Sequence, residues 1–217
     1  HWSDLERLNR ERELIGIYIS GHPLDAYRIV LDHLCTTRMV ELEDKEKLAR
    51  RDITFGGIVT GVRTGFTGGG KPYGIVRMED YSGVGEIALF GEEWLRQASY
   101  FTEGNTFFIS ARVEPRRFKE GEYDLRLGRI ELLADVKEER IKSITFFLTL
   151  ASVEESSVND LIGVILENPG NTEVYFCVNG VDSEKRLLLR SGNCRMNINR
   201  NVLDFVKENE GIEYKIN

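Results

Sequence analysis

At Ile53 the spacing of apolar residues switches from a helical period to alternation, and the alternation persists, broken by turn residues, as far as Leu133. Alternating side chains point to opposite faces of a strand, so this region is built to form a sheet. Ile53 to Thr64 reads as the first strand, and Gly65 to Pro72 is a glycine-rich loop. Tyr73 to Asp80 follows, with Gly74, Val76 and Met78 on one face and Tyr73, Ile75 and Arg77 on the other. Tyr81-Ser82-Gly83 turns the chain into the strand Val84 to Phe90. Gly91 to Phe101 returns to helical spacing through Trp94, Leu95 and Ala98. Thr106 to Val113 is a strand, Glu114 to Glu122 a loop, and Tyr123 to Leu133 the last strand. Three strands, a short helix and two strands is the order of an OB-fold, a five-stranded Greek-key barrel.

Outside this region the pattern differs on each side. From Trp2 to Leu34 the apolar residues Leu5, Leu8, Leu14, Ile15, Tyr18 and Ile19 have helical spacing, broken at Ser20-Gly21-His22-Pro23, after which a second helix starts. The charge-dense stretch Glu41 to Asp52 reads as a linker or solvated segment, and so does Asp135 to Lys142. Beyond it come a strand at Ser143–Leu150, a helix at Val158–Glu167 stopped by Asn168-Pro169-Gly170, and strands at Thr172–Asn179 and Glu184–Arg190. A helix at Asn199–Asn209 and a strand at Ile212–Ile216 complete the chain. This is the βαββαβ order of a ferredoxin-like split unit, complicated by strand-like residues at Cys194, Met196 and Ile198. The expected architecture is therefore mixed β and α+β. A helical leader and linker occupies residues 1–52, an OB-fold domain 53–135 and a C-terminal α+β partner-binding domain 136–217.

Composition narrows the function. The chain has 217 residues, of which 41% are hydrophobic, enough to bury the cores of two small domains. It starts at His1 in mid-helix pattern, which reads as an excised piece of a longer protein. No apolar run approaches the roughly 20 residues that span a bilayer, so a soluble chain without membrane contact is expected. Cys35, Cys177 and Cys194 are far apart and form no C-x-x-C pair, which fits a reducing cytoplasm and speaks against a zinc or disulfide framework. A net charge of −7 excludes coating of nucleic acid through bulk charge, so any DNA contact must be local.

The run Gly65 to Lys71 spells G-x-x-x-x-G-K, the outline of a phosphate-binding P-loop. Pro72 breaks it: the next position should carry a hydroxyl for Mg²⁺ and open a helix, whereas proline has neither hydroxyl nor N–H and a strand follows. A flexible hairpin loop fits better, and an OB-fold uses such a loop. Its ligand crosses strands 2 and 3 and is gripped by the loops between strands 1 and 2 and strands 4 and 5. Phe66 and Lys71 belong to the first loop, and Arg116, Arg117, Phe118 and Lys119 to the second, with Tyr73 and Arg77 on the face between them. Cations track phosphates, and an exposed ring offers a base about 1 to 3 kcal/mol of stacking. Arg63, Arg112, Arg126 and Arg129 could widen the patch; ordinary solvated loop residues are the bland alternative.

Other constellations are weaker. Gln97-Ala98-Ser99-Tyr100-Phe101 loosely resembles a clamp-binding peptide, but aromatics at the end of a barrel helix are better suited to core packing. Glu79 and Asp80 are adjacent on a strand and point to opposite faces, so they do not share a metal ion, and capping roles suit them better. His22 lies in a turn with no nucleophile or carboxylate identifiable beside it.

The run Glu11-Arg12-Glu13-Leu14-Ile15-Gly16-Ile17-Tyr18-Ile19-Ser20-Gly21-His22-Pro23-Leu24 closely resembles the segment leading into the OB domain of the bacterial DNA polymerase III alpha subunit family. Met78-Glu79-Asp80-Tyr81-Ser82-Gly83 with Glu86-Ile87-Ala88-Leu89-Phe90-Gly91 is similar to the family's strand 2, turn and strand 3. The resemblance implies a parent polymerase that extends primed DNA in the cytoplasm with Mg²⁺ held by aspartates upstream of His1. No catalytic residue, metal ligand or cofactor is therefore expected within this chain. It further implies an OB domain near the single-stranded template, a terminal domain that contacts the tau subunit of the clamp loader, and a sliding-clamp peptide further upstream. A protein-interaction fragment without DNA affinity is the rival reading. A free-standing nuclease or ligase lacks an identifiable nucleophile or metal cluster.

Overall fold

The computed structural model describes residues 14, 21–116, 119, 121–149, 154–180 and 186–217. The chain divides into two compact units, His1–Leu24 with Val30–Ala134 and Asp25–Ile29 with Asp135–Asn217. The helix expected over Trp2 to Ile19 lies outside the described residues except at Leu14. The second one forms as α1, Arg28–Leu34, after a 3-10 turn at Asp25–Tyr27.

The first unit is the OB-fold. Its strands are β1 (Asp52–Phe66), β2 (Pro72–Asp80), β3 (Gly83–Phe90), β4 (Thr106–Pro115) and β5 (Tyr123–Leu132), with α2 (Glu92–Gln97) between β3 and β4. Hydrogen-bonded order is β3-β2-β1-β4-β5, all antiparallel. β1 makes the sheet curl: its first half, Asp52 to Ile58, ladders with β4, and its second half, Ile58 to Phe66, with β2. A register shift between Val59 and Gly61 separates the halves, and such bulges bend a strand and raise its twist. Among the described residues no ladder joins β3 to β5, which gives the partly open form of the barrel.

Inward-facing residues of the alternating strands fill the barrel: Phe55, Val76, Met78, Ile87, Leu89, Ile109 and Val113 are buried. Each such side chain contributes roughly 1.5 to 3 kcal/mol. Trp94 of α2 closes one end by lying on Gly74 of β2, where a Cβ would come within 2.4 Å of the indole. The expected linker Glu41 to Asp52 is a correction. A 3-10 helix spans Met39–Glu43, and Met39, Leu42 and Leu48 enter the barrel core. Their neighbours' charges disguised an apolar face that the open barrel needs.

Asp80 fastens this segment. Its carboxylate accepts from the backbone N–H of Met39 (2.9 Å), Ser82 (2.7 Å) and Gly83 (3.2 Å), closing the β2–β3 turn and holding Met39 at once. Gly83 has φ +142°, and a Cβ there would meet Val40 at 2.8 Å, so the turn requires glycine.

The second unit holds β6 (Ser143–Thr149), α4 (Glu155–Glu167), β7 (Pro169–Asn179), β8 (Arg186–Met196), α5 (Arg200–Glu208) and β9 (Ile212–Ile216). The βαββαβ element order is present, and Cys194 and Met196 extend β8 without adding a strand. The split arrangement is not. Strand order is β8-β7-β6-β9, with β6 directly parallel to β7, whereas a split unit places another strand between them. β6 carries Ile144, Phe146, Phe147 and Leu148 on both of its faces, which suits an interior strand, and arginine-bearing β8 takes an edge. The expected linker Asp135 to Lys142 is also corrected: α3 spans Leu133–Arg140, with Leu133 and Val136 buried and Ile141 buried just after it. Lys137 on α3 reaches inward and donates to the carbonyl oxygens of Ala26 (2.6 Å) and Ile198 (2.8 Å) and to Asn197 Oδ1 (2.8 Å).

Candidate nucleic-acid interface

The outer face of β1, β2 and β3 follows from the register. Gly65 pairs with Tyr73 and Tyr73 with Phe90; Arg63 pairs with Ile75 and Ile75 with Ala88; Gly61 pairs with Arg77 and Arg77 with Glu86. Paired residues share a face, so these nine positions form one surface opposite the core. The Tyr73 and Phe90 rings stand with centroids 6.1 Å apart, tilted by 41°. Gly65 leaves room for the tyrosine: a Cβ there would lie 2.9 Å from its ring. Phe90 is 47% exposed and is the residue sequence reasoning missed. The β3 alternation that buries Gly85, Ile87 and Leu89 already marks Glu86, Ala88 and Phe90 as outward.

The other residues singled out from the sequence are placed unevenly. Phe66 is 76% exposed at the end of β1, but it pairs with Pro72 and so belongs to the face opposite Tyr73. Lys71 sits in a tight hairpin, in which Thr67 N–H donates to the Lys71 carbonyl (2.8 Å) and Lys71 N–H to Thr67 Oγ1 (3.1 Å). β2 then starts at Pro72, so no helix follows the glycine-rich loop. Lys71 and Arg77 are exposed and have no ion-pair partner among the described residues. Arg117 and Phe118 lie outside the described residues.

The rest of the anticipated basic surface is neutralised. Arg116 is bonded to Glu122 (2.7 Å) and faces Asp124 (3.8 Å), and Lys119 is bonded to the same Glu122 (2.9 Å). Hydrogen bonds from Lys119 and then Arg116 hold the Glu122 carboxyl below its ordinary range, and the bond to Glu122, with Asp124 behind it, raises Arg116. Arg63 pairs with Glu86, Arg112 with Asp52, Arg126 with Glu93 and Arg129 with Glu131. A groove of about 640 Å³ at the β3–β5 seam, floored by Ala88, Phe90 and Tyr123, is rimmed by Glu43, Asp44, Glu46, Glu122 and Asp124 against Lys45 and Arg116. Five carboxylates against two cations make that rim net negative, next to the Phe90 end of the outer face.

The remaining motifs are structural. Phe101 is buried and packs edge-on against Phe107 at 5.8 Å, while Tyr100 is exposed. His22 Nδ1 accepts from Leu24 N–H at 3.2 Å inside its turn. Burial pushes the Cys35 thiol up to about 12, with Asp80 and Asp32 adding to it, which disfavours the thiolate. Among the described residues no three His, Cys, Asp or Glu side chains are grouped to hold a metal ion. No described helix is long and apolar enough to cross a membrane.

Residues 144–217 match the family model described as "DNA polymerase III alpha subunit, C-terminal domain". The DNA polymerase III subunit alpha of Bacillus subtilis is 24% identical over 198 residues, which is 91% of this chain and 17% of that protein. That of Borreliella burgdorferi is 26% identical over 223 residues, covering 98% of this chain and 18% of that protein. That of Halalkalibacterium halodurans is 30% identical over 176 residues, 79% of this chain and 15% of that protein. The chain thus spans less than a fifth of the length of each of these relatives. Among solved structures, the second OB-fold domain of replication protein A from Methanococcus maripaludis overlays with a TM-score of 0.26 at 14% identity, over 41% of this chain and 89% of that one.

Proposed function

Because the chain belongs to the bacterial DNA polymerase III alpha subunit family, in the region that ends with its C-terminal domain, we propose that it binds and docks within a replicating polymerase while chemistry is done elsewhere. The OB-fold receives single-stranded template DNA, and the terminal α+β domain docks the tau subunit of the clamp loader. Together they support processive synthesis in the cytoplasm. Nucleotidyl transfer, its Mg²⁺ and the sliding-clamp peptide belong to parts of the polymerase beyond this chain.

The observation that carries the DNA reading is the outward-facing ring pair of half-buried Tyr73 and exposed Phe90 beside Lys71 and Arg77, two cations with no carboxylate partner among the described residues. Bases stack on rings whatever their sequence, and each contact of this kind adds about 1 to 3 kcal/mol. With two unpaired cations on the face among the described residues, binding is weak, salt-sensitive and indifferent to sequence. Fluorescence anisotropy of a labelled oligothymidine with the wild type and Tyr73→Ala with Phe90→Ala tests it. Loss of binding in the variant is the expected result, and equal binding rejects the face.

One observation favours a second reading, in which the fragment only binds proteins: Arg116 and Lys119 are engaged by Glu122, and acids predominate along the seam groove. Absence of oligonucleotide binding at low salt, together with capture of tau, selects this reading over the first.

A further inference from the structure

Strand β8 ends the second sheet, so among the described residues one of its edges has no neighbour in the order β8-β7-β6-β9. Natural edge strands are commonly blunted by charge, proline or brevity, because a free row of N–H and C=O groups pairs readily with another chain. β8 spans Arg186–Met196 and carries Leu187, Leu188 and Leu189 in succession, exposed by 57%, 64% and 44%. Consecutive residues of a strand point to opposite faces, so both faces beside the free edge are apolar. Apolar contacts of this kind, left in water on an edge, are the feature that strand addition buries.

Charge selects the occupant. β8 contains Arg186, Arg190 and Arg195 and no acidic residue, within a chain of net charge −7. Arg190 and Arg195 share the single carboxylate of Glu173, at 2.8 and 3.4 Å. Self-pairing is disfavoured by the same residues: in an antiparallel pair of β8 strands centred on Leu188, Arg186 of one copy opposes Arg190 of the other, and like charges directly opposite destabilise a ladder.

We propose that the free edge of β8 receives an extended, acidic segment of a partner protein as a fifth strand, whose apolar side chains cover Leu187, Leu188 and Leu189. This deepens the docking reading of the terminal domain and rests on it. The probe is purified tau subunit, titrated calorimetrically into the full chain, with hydrogen exchange followed across β8. The wild type binds, the amides of residues 186–190 become protected, and Leu188→Asp and Arg186→Glu each weaken binding at least tenfold. Both sites are exposed, and an unchanged melting temperature shows that the variants fold. If the wild type binds tau while both variants bind equally well and β8 exchange is unaltered, docking stands and the edge proposal is overturned. If the wild type does not bind, both fall. Concentration-dependent dimerisation in the ultracentrifuge that Leu188→Asp abolishes overturns the proposal in favour of a second copy on the edge.

Discussion

Tyr73 and Phe90 occupy directly paired positions on β2 and β3, and their rings lie 6.1 Å apart on the face turned away from the barrel core. In the proposed DNA-binding role, two adjacent rings on this face would offer successive bases a stacking platform. Tyr73→Ala and Phe90→Ala are each expected to weaken oligothymidine binding by about 1 to 3 kcal/mol. Both leave the core intact, so anisotropy titrations should change while thermal unfolding does not. Phe66→Ala, on the opposite face, should change affinity far less.

Electrostatics gives a prediction of opposite sign. Glu122 engages Arg116 and Lys119 together. Glu122→Gln therefore releases cations toward solvent and is expected to strengthen oligonucleotide binding at low salt, steepening the dependence of log affinity on log salt by about one. Arg116→Ala should leave both affinity and slope nearly unchanged. Titrations at several salt concentrations check both statements.

Packing of Trp94 against Gly74 makes a stability prediction. A methyl group at residue 74 would come within 2.4 Å of the indole. Gly74→Ala should cost about 1 to 3 kcal/mol through overpacking. The measurement is the denaturant midpoint followed by tryptophan fluorescence, and a midpoint equal to the wild type's would contradict the packing.

Lys137 supplies the pH dependence. Burial lowers its pKa to about 8, whereas an exposed lysine titrates near 10.4. Between these values the unfolded chain holds a proton that the folded chain has released, so stability from this group rises with pH across about 8 to 10.4. Below that window both states are protonated and the burial penalty is at its full size. Lys137→Met should flatten the rise when urea midpoints at pH 7.5 and 9.5 are compared with the wild type's.

The barrel was legible because β2 and β3 alternate between a buried and an outward face, whereas β1 and β4 are buried on both faces over Phe55–Val59 and Phe107–Ile109. Gly74, Val76 and Met78 alternate with Tyr73, Ile75 and Arg77, and the burial follows that alternation. Register was not legible: nothing in the order of residues brings Phe90 beside Tyr73, because that pairing depends on where the Asp80-Tyr81-Ser82-Gly83 turn closes. Cation counting did not reveal the ion pairing of the β4–β5 loop. Glu122 and Asp124 were present in the same stretch, but only coordinates show them bonded to the loop's own Arg116 and Lys119. Charge density likewise hid Met39, Leu42 and Leu48, which the barrel interior requires. In the second unit the element order was readable and the strand order was not, since β6 can neighbour β7 or be separated from it with the same succession of helices and strands.

Asp80 gives the barrel an unexpected weak point. One carboxylate pins a lateral strap and a hairpin bend to each other, so its loss would release the methionine of that strap from the interior. Water could then enter from the side while every strand stayed paired. Asp80 is thus a fastener, and Tyr73, Arg77 and Phe90 lie on the outward face of the same hairpin.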